Sequence, residues 1–215
     1  MKKHLIILIL IVTTAPFLFS QNIRPGVVGG VNFQNINGKD TGGDRLENSL
    51  TIGYHAGINI LIPFADEIYF QPGLLFSTKG ALDKNDVTEI KVRLNYLELP
   101  LNLLYRGQLG NNFILLGFGP YVGYALGGNF VVDDDERKIT FQNSIDTGDP
   151  LTTPYMRRFD AGANIFAGYE LENGLFLTLN SQLGLLKINP DNNLSSDDES
   201  VWKNTGFGLS HGFRF

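Results

Sequence analysis

Apolar and polar residues alternate strictly over residues 158–186. In the first arm Phe159, Ala161, Ala163, Ile165, Ala167, Tyr169 and Leu171 share one face, and Asp160, Gly162, Asn164, Phe166, Gly168 and Glu170 share the other. After a Glu172-Asn173-Gly174 turn, Leu175, Leu177, Leu179, Leu183 and Leu185 oppose Thr178, Asn180, Gln182 and Gly184. A period of two belongs to extended chain, because successive side chains of a strand point to opposite faces. Each arm is longer than an ordinary strand of about 5–6 residues. The length matches a tilted membrane-crossing strand, which needs about 9–11 residues. The hairpin therefore predicts a fold that repeats it until the sheet closes on itself.

The rest of the chain carries the same pattern. Residues 25–33 form a short Gly-rich strand with Val27, Gly29, Val31 and Phe33 on one face, and residues 34–50 read as a long polar loop. Residues 51–62 alternate Ile52, Tyr54, Ala56, Ile58, Ile60 and Ile62 against Thr51, Gly53, His55, Gly57 and Asn59. After a turn at 63–66, a third strand over 68–79 has Ile68, Phe70, Pro72, Leu74 and Phe76 on one side. Pro72 has no N–H for a ladder bond and marks an expected bulge. Residues 80–89 read as a second loop. A fourth strand over 90–105 changes phase, with Ile90, Val92 and Leu94 on one parity and Leu97, Leu99, Leu101, Leu103 and Tyr105 on the other. The phase change predicts a strand that protrudes beyond the membrane, with Lys91, Arg93 and Asn95 outward in water.

A turn at 107–112 leads to a fifth strand over 113–127, whose Gly117, Gly119, Gly123 and Gly127 face away from Ile114, Leu116, Phe118, Val122, Tyr124 and Leu126. Residues 128–156 are the longest predicted loop, 188–200 another, and 201–215 the last strand. These are eight strands joined by alternately long and short connections. An even number of antiparallel strands, with short turns at one end and long loops at the other, predicts an all-β, eight-stranded up-and-down transmembrane barrel. Both termini and the short turns are expected on the periplasmic side, and the long loops outside the cell.

The polar face decides between lipid outside and a dry core inside. A soluble barrel carries many charged groups on its exterior. Here that face is mostly Gly, Asn, Gln, Ser and Thr, which suits the narrow lumen of a small barrel. Charged residues are 18% of the chain, below the roughly 25% of soluble domains. Tyr69, Tyr105, Tyr169, Trp202, Phe213 and Phe215 fall near strand ends, where interfacial girdles are expected.

Lys2, Lys3 and His4 precede an apolar run over residues 5–19, then Ser20 and Gln21. This predicts a secretory signal peptide over 1–20 and a barrel domain over 21–215. Removing the two lysines leaves 15 basic and 22 acidic side chains, a formal charge of −7. That balance argues against nucleic acid as a partner. The absence of Cys excludes a disulfide framework, thiol catalysis and a lipid-modified N-terminal cysteine.

Tyr96-Leu97-Glu98-Leu99-Pro100-Leu101, the run GFGPYVGYALGG over 117–128, and Arg158-Phe159-Asp160-Ala161-Gly162 with Gly168-Tyr169-Glu170 resemble the PorT-like outer-membrane β-barrel family of Bacteroidetes. The resemblance covers the chain from about Gln21 onward and implies location and fold more than mechanism. Terminal Phe215 is similar to the aromatic residue that outer-membrane barrels present to their assembly machinery, which implies that machinery as a partner.

The inward parity carries the candidate chemistry. Lys79, Glu98 and Asp160 fall toward the loop end, with His55 close in height, and Glu170 and Arg214 fall toward the turn end. Charges enclosed in a narrow barrel are costly unless paired, so two clusters are expected, one in each half. His211 has outward parity, and no nucleophile–base spacing is recognisable. The acidic stretches 133–136 and 197–199 lack calcium-loop spacing. No catalytic, metal or cofactor set is expected. The expected role is a structural or interaction barrel that displays long loops, with a possible envelope or secretion-complex partner and membrane lipid around it. A narrow solute channel is the alternative, and a surface enzyme the last.

Overall fold

The computed structural model describes residues 23–84, 88–133, 135–195 and 197–215; the leader expected over 1–20 lies outside them. Eight strands form the wall: β1 (Arg24–Lys39), β2 (Thr51–Ala65), β3 (Ile68–Lys84), β4 (Glu89–Leu109), β5 (Asn112–Val132), β6 (Phe159–Glu170), β7 (Leu175–Gly184) and β8 (Val201–Arg214). Each pairs antiparallel with its neighbours in sequence. β1 pairs with β8 from Gly26↔Arg214 to Lys39↔Val201, and β5 with β6 from Phe159↔Tyr124 to Glu170↔Phe113. The sheet is thus an eight-stranded antiparallel ring with no free edge, the condition a spanning sheet must meet.

Alternation now has a direction. Ile52, Ile58, Phe118, Ile165, Leu179 and Leu183 project outward and are exposed, while Asn32, His55, Gln71, Glu98, Asp160 and Asn204 project inward and are buried. Soluble monomers rarely expose contiguous apolar patches beyond a few hundred Å², yet this belt runs right around the wall. β7, at 10 residues, matches a single membrane crossing. Two apolar clusters occupy the interior. Leu61, Leu104, Leu115 and Phe176 gather at the turn end. Ile36, Val92, Leu94, Tyr96, Ile139, Met156 and Ile188 gather at the loop end. Small residues on the inner face make room for the rings: a Cβ at Gly117 would overlap Phe166, and one at Gly212 would overlap Phe176.

Several strands are longer than their sequence pattern predicts. β1 continues to Lys39 through most of the first half of the expected 34–50 loop. β3 continues to Lys84 and β4 begins at Glu89, so the expected 80–89 loop is largely hairpin. β4 extends to Leu109, and the 107–112 turn shrinks accordingly. In the first two places the strands pair in register above the apolar belt, where the outer face carries no apolar signature to mark them.

Parity along β4 is unbroken. Val92, Leu94 and Tyr96 are buried on the same inner face as Glu98, Asn102 and Arg106. The apparent change of phase is a change of surroundings: above the belt the interior is apolar and the exterior polar. Arg93 is exposed on the outside, with Lys91 and Asn95 half-buried beside it. A one-residue slip against β5 does occur, between Asn95 and Tyr96. Pro72 makes no bulge; the registers of β3 with β2 and β4 are the same on either side of it. Two expected girdle residues point inward. Tyr69 packs on the turn-end cluster and Trp202 on the loop-end cluster.

Residues 135–158 fold over the loop end. Asp135–Lys138 pairs with the end of β5, Thr140–Phe141 runs parallel to Tyr155–Met156, and Ser144–Ile145 runs parallel to Asp191–Asn192. Ile139, Met156 and Ile188 are buried in the cluster beneath. Asp191 ties the cap to Arg157 just before β6 (2.6 Å) and to Lys187 just after β7 (3.2 Å). The Lys187 hydrogen bond, reinforced by Arg157, holds the Asp191 carboxyl below the usual carboxylate range.

Exposure to lipid and exposure to water have different costs for a charge, which gives a test of the belt. Ile165 is 62% exposed on the wall and Leu151 is 79% exposed on the cap. Ile165→Arg is expected to lower stability in phospholipid vesicles by about 2–4 kcal/mol, the cost of a cation near the bilayer midplane. Leu151→Arg should change it by no more than about 0.5 kcal/mol. Equal small shifts of the two urea midpoints would place Ile165 in water.

Candidate functional site in the barrel interior

Three polar layers fill the space between the apolar clusters. The first lies toward the loop end. Glu98 on β4 and Asp160 on β6 both pair with Gly123 on β5, so the two carboxylates flank a residue without a side chain. Lys79 reaches between them, with its ammonium 2.7 Å from Glu98 Oε2 and 3.1 Å from Asp160 Oδ2. All three side chains are at most 1% exposed. The Tyr121 hydroxyl (3.3 Å) and the Asn204 amide (3.0 Å) also donate to Asp160 Oδ2, and Gln182 donates to Glu98 Oε1 at 2.6 Å. The ammonium also lies 4.1 Å from the centre of the Tyr121 ring, a cation–π contact.

The second layer lies toward the turn end. Glu170 is fully buried. Its Oε2 accepts from Arg214 Nε at 2.7 Å, and its Oε1 from Arg106 Nη2 (2.9 Å), Arg106 Nε (3.2 Å) and Arg24 Nη1 (3.1 Å). Arg106 stacks on Phe113 at 3.2 Å and Arg214 on Phe176 at 4.7 Å. One ammonium serves two carboxylates in the first layer, whereas three guanidinium groups share one carboxylate here. The lumen is therefore electrostatically polarised, negative toward the loops and positive toward the turns.

Between them lies a chamber of about 90 Å³, lined by Asn32, His55, Gln71, Asn102, Asn164 and Asn180 among others. One water needs roughly 10–15 Å³ of such space, so the chamber has room for several. His55 sits in its wall with both ring nitrogens engaged, Nδ1 with Asn32 Oδ1 (2.8 Å) and Nε2 with Ser210 Oγ (2.9 Å). Asn180 donates to the same Ser210 oxygen at 2.9 Å. Because the Asn32 partner is a carbonyl oxygen, Nδ1 carries the proton and Ser210 donates to Nε2.

The structure brings Lys79, Glu98 and Asp160 into one cluster and Glu170 and Arg214 into the other. His55, in the chamber wall between the two layers rather than at the height of the first, joins neither; its partners are an amide and a hydroxyl, so it forms no pair with a carboxylate. Among the described residues no group of three or more His, Asp or Glu is placed to hold a metal ion. Arg24 and Arg106 escaped the sequence pattern because each lies just outside the strand that apolar alternation defines. Arg106 shares the parity of Glu98 and Asn102, which is the one signal that could have found it.

A closed antiparallel sheet with an apolar exterior, a polar filled interior and long connections at one end defines a transmembrane β-barrel of the outer-membrane type. Residues 19–189 match the outer membrane protein beta-barrel domain family, and the chain belongs to it. The protein is accordingly an outer-membrane barrel. Its fold is similar to that of the attachment invasion locus protein Ail of Yersinia pestis, solved with the heparin analogue sucrose octasulfate; identity is 10%, TM-score 0.42, with 91% of this chain and all (100%) of that one covered. It is also similar to the N-terminal β-barrel domain of OprF from Pseudomonas aeruginosa, at 15% identity, TM-score 0.40 and coverage of 91% and 98%. OprG of the same organism gives 12% identity, TM-score 0.40 and coverage of 90% and 94%. Comparison with curated proteins returned no match.

Removing one member of a buried charge cluster leaves the others unpaired. Glu170→Gln is expected to destabilise the barrel by about 3–5 kcal/mol in urea unfolding from vesicles. A double-mutant cycle with Arg214→Gln should show coupling of about 0.5–3 kcal/mol. Strict additivity would mean that the two side chains do not interact in the membrane.

Proposed function

We propose that this protein is a closed outer-membrane scaffold, a barrel that presents its folded cap outside the cell rather than conducting solutes. The observation that carries this proposal is closure at successive levels. The Lys79–Glu98–Asp160 layer, the Arg24–Arg106–Arg214–Glu170 layer and the apolar cluster under the cap each occupy the lumen. Short turns at one end and long connections at the other support periplasmic termini and an outward cap. Residues buried under the cap give it a defined shape, as recognition of a partner protein of the envelope or of a secretion complex requires. Phe215 is exposed at the end of the last strand, where the assembly machinery would read it. The motifs around Tyr96, Gly117 and Arg158 favour a PorT-like subgroup within the family.

A second proposal, a narrow gated channel, is favoured by the polar chamber, roomy enough for several waters, between the charged layers. The layers would then be gates rather than plugs.

Planar-bilayer recording separates the two. The purified chain is expected to pass no steady current, and Lys79→Met, which leaves Glu98 and Asp160 facing each other without their cation, should produce brief openings. Large steady currents from the unaltered chain would overturn the closed scaffold. The chain has no Cys, so Leu151→Cys can be labelled uniquely. A membrane-impermeant maleimide should modify it in intact cells, and labelling only after lysis would invert the proposed orientation.

A further inference from the structure

We propose that the outer face of β5 at Gly127 binds the phosphate of a membrane lipid, held by Arg93, Lys138 and Arg158. Register brings these cations together. Arg93 on β4 lies opposite Asn129 on β5, and Asn129 lies opposite Lys138. Directly opposite residues share a face and stand about 5 Å apart, so the three side chains project outward in one row. One step nearer the belt, Asn95 lies opposite Gly127. On the other flank of β5, the Arg158 carbonyl accepts from the Ala125 amide at 2.8 Å, and its guanidinium donates to the Ala125 carbonyl at 3.1 Å. Two cations therefore bracket Gly127 on the loop side and one on the belt side. The backbone between them is bare: a Cβ placed at Gly127 would meet no atom within 4 Å.

The chemistry of the ring is that of an anion site. Lys39, Lys79 and Arg137 each have a carboxylate partner, whereas Arg93, Lys138 and Arg158 have none among the described residues. Arg158 is already set in place, its guanidinium 5.3 Å from the centre of the Tyr124 ring and 4.6 Å from that of Phe141. A guanidinium carries five donors, and Arg158 uses one of them within the described residues. Its planar fork matches two phosphate oxygens, and a lysine adds a point charge. Three cations around one opening suit a phosphate monoester, which carries close to two charges at neutral pH.

Height and surroundings point to a lipid as its bearer. Asn95 and Gly127 lie two residues beyond Leu97, an exposed aliphatic of the belt, and at the usual rise and tilt that is about 5 Å. The headgroup layer of a bilayer is roughly 5–7 Å deep on each side. Just below, the exposed rings of Tyr124 and Phe159 meet edge to face at 5.3 Å, as at a membrane interface. Further toward the turns, the same wall carries an apolar groove of about 650 Å³ among Leu103, Leu116, Phe118, Ile165 and Leu179, where an acyl chain fits. A soluble polyanion would approach past exposed Asp133 and Glu136, whereas a lipid arrives along the wall. The site is on the outside of the barrel, so it stands or falls separately from closure of the lumen.

The full chain is reconstituted in phosphatidylcholine nanodiscs containing small, equal amounts of phosphatidic acid and phosphatidylglycerol, and the retained lipid is read by native mass spectrometry. One phosphatidic acid per chain is expected, in preference to phosphatidylglycerol, whose phosphate is a diester. Arg93→Gln with Lys138→Gln should lower that enrichment about 25-fold, at about fivefold per cation near a membrane surface. Lys203→Gln, which removes a cation from β8, should leave it unchanged. Gly127→Glu places a carboxylate inside the ring and should abolish retention. Equal enrichment of phosphatidylglycerol, or an equal loss in Lys203→Gln, means diffuse attraction and overturns the proposal, as does retention unaltered in Gly127→Glu. That last arm decides alone if the double variant does not fold. Inorganic phosphate binding with the same affinity in pure phosphatidylcholine nanodiscs, measured by calorimetry, would overturn the assignment to lipid.

Discussion

Closing the sheet forces every second residue of eight strands into one narrow lumen, and any charge placed there must find its counter-charge inside. A charge enclosed without a partner is costly, so the positions of Lys79, Glu98, Asp160, Glu170 and three arginines depend on one another. The close spacing across β4, β5 and β6, with Gly123 between Glu98 and Asp160, leaves room for the Lys79 ammonium. At the other end Glu170 is shared by guanidinium groups from the first, fourth and eighth strands. These contacts link strands that are far apart in the chain, and they occupy the path a solute would follow.

The same strands pass through two environments, and the sense of their pattern inverts on the way. Within the belt an apolar side chain faces outward and a polar one inward. Above it, Val92, Leu94 and Tyr96 turn apolar residues inward while Arg93 meets water. The upper interior is thus an ordinary hydrophobic core. Residues 135–158 and 185–195 complete that core with Ile139, Met156 and Ile188, and for this reason form a folded cap instead of solvated loops. Trp202 belongs to the same core, which is why it cannot serve at the membrane interface.

Legibility along the chain followed the contrast between the two faces. β2, β6 and β7 were plain because large aliphatic residues alternate with small polar ones. The ends of β1 and β3 were hidden because Gln34 and Asn35, or Asp83 and Lys84, follow one another without any change of polarity, and only pairing with a neighbour defines them as strand. Lys79, Glu98, Asp160, Glu170 and Arg214 were visible as charges on the inward parity. Arg24 and Arg106 were not, since each sits one residue past an apolar boundary. Tyr69 and Trp202 showed that an aromatic near a strand end carries no direction by itself.

The sequence alone determined what a local period can determine: eight strands, two faces, and which face is too poor in charge for water. Side-chain alternation is a property of each strand separately, and it survives in the linear text. Which charges meet, how far the wall rises above the apolar belt, and whether a polar segment is a loop or a lid depend on register and closure. Those come from residues more than a hundred positions apart, as with Arg24 and Glu170, and only the folded ring brings them together.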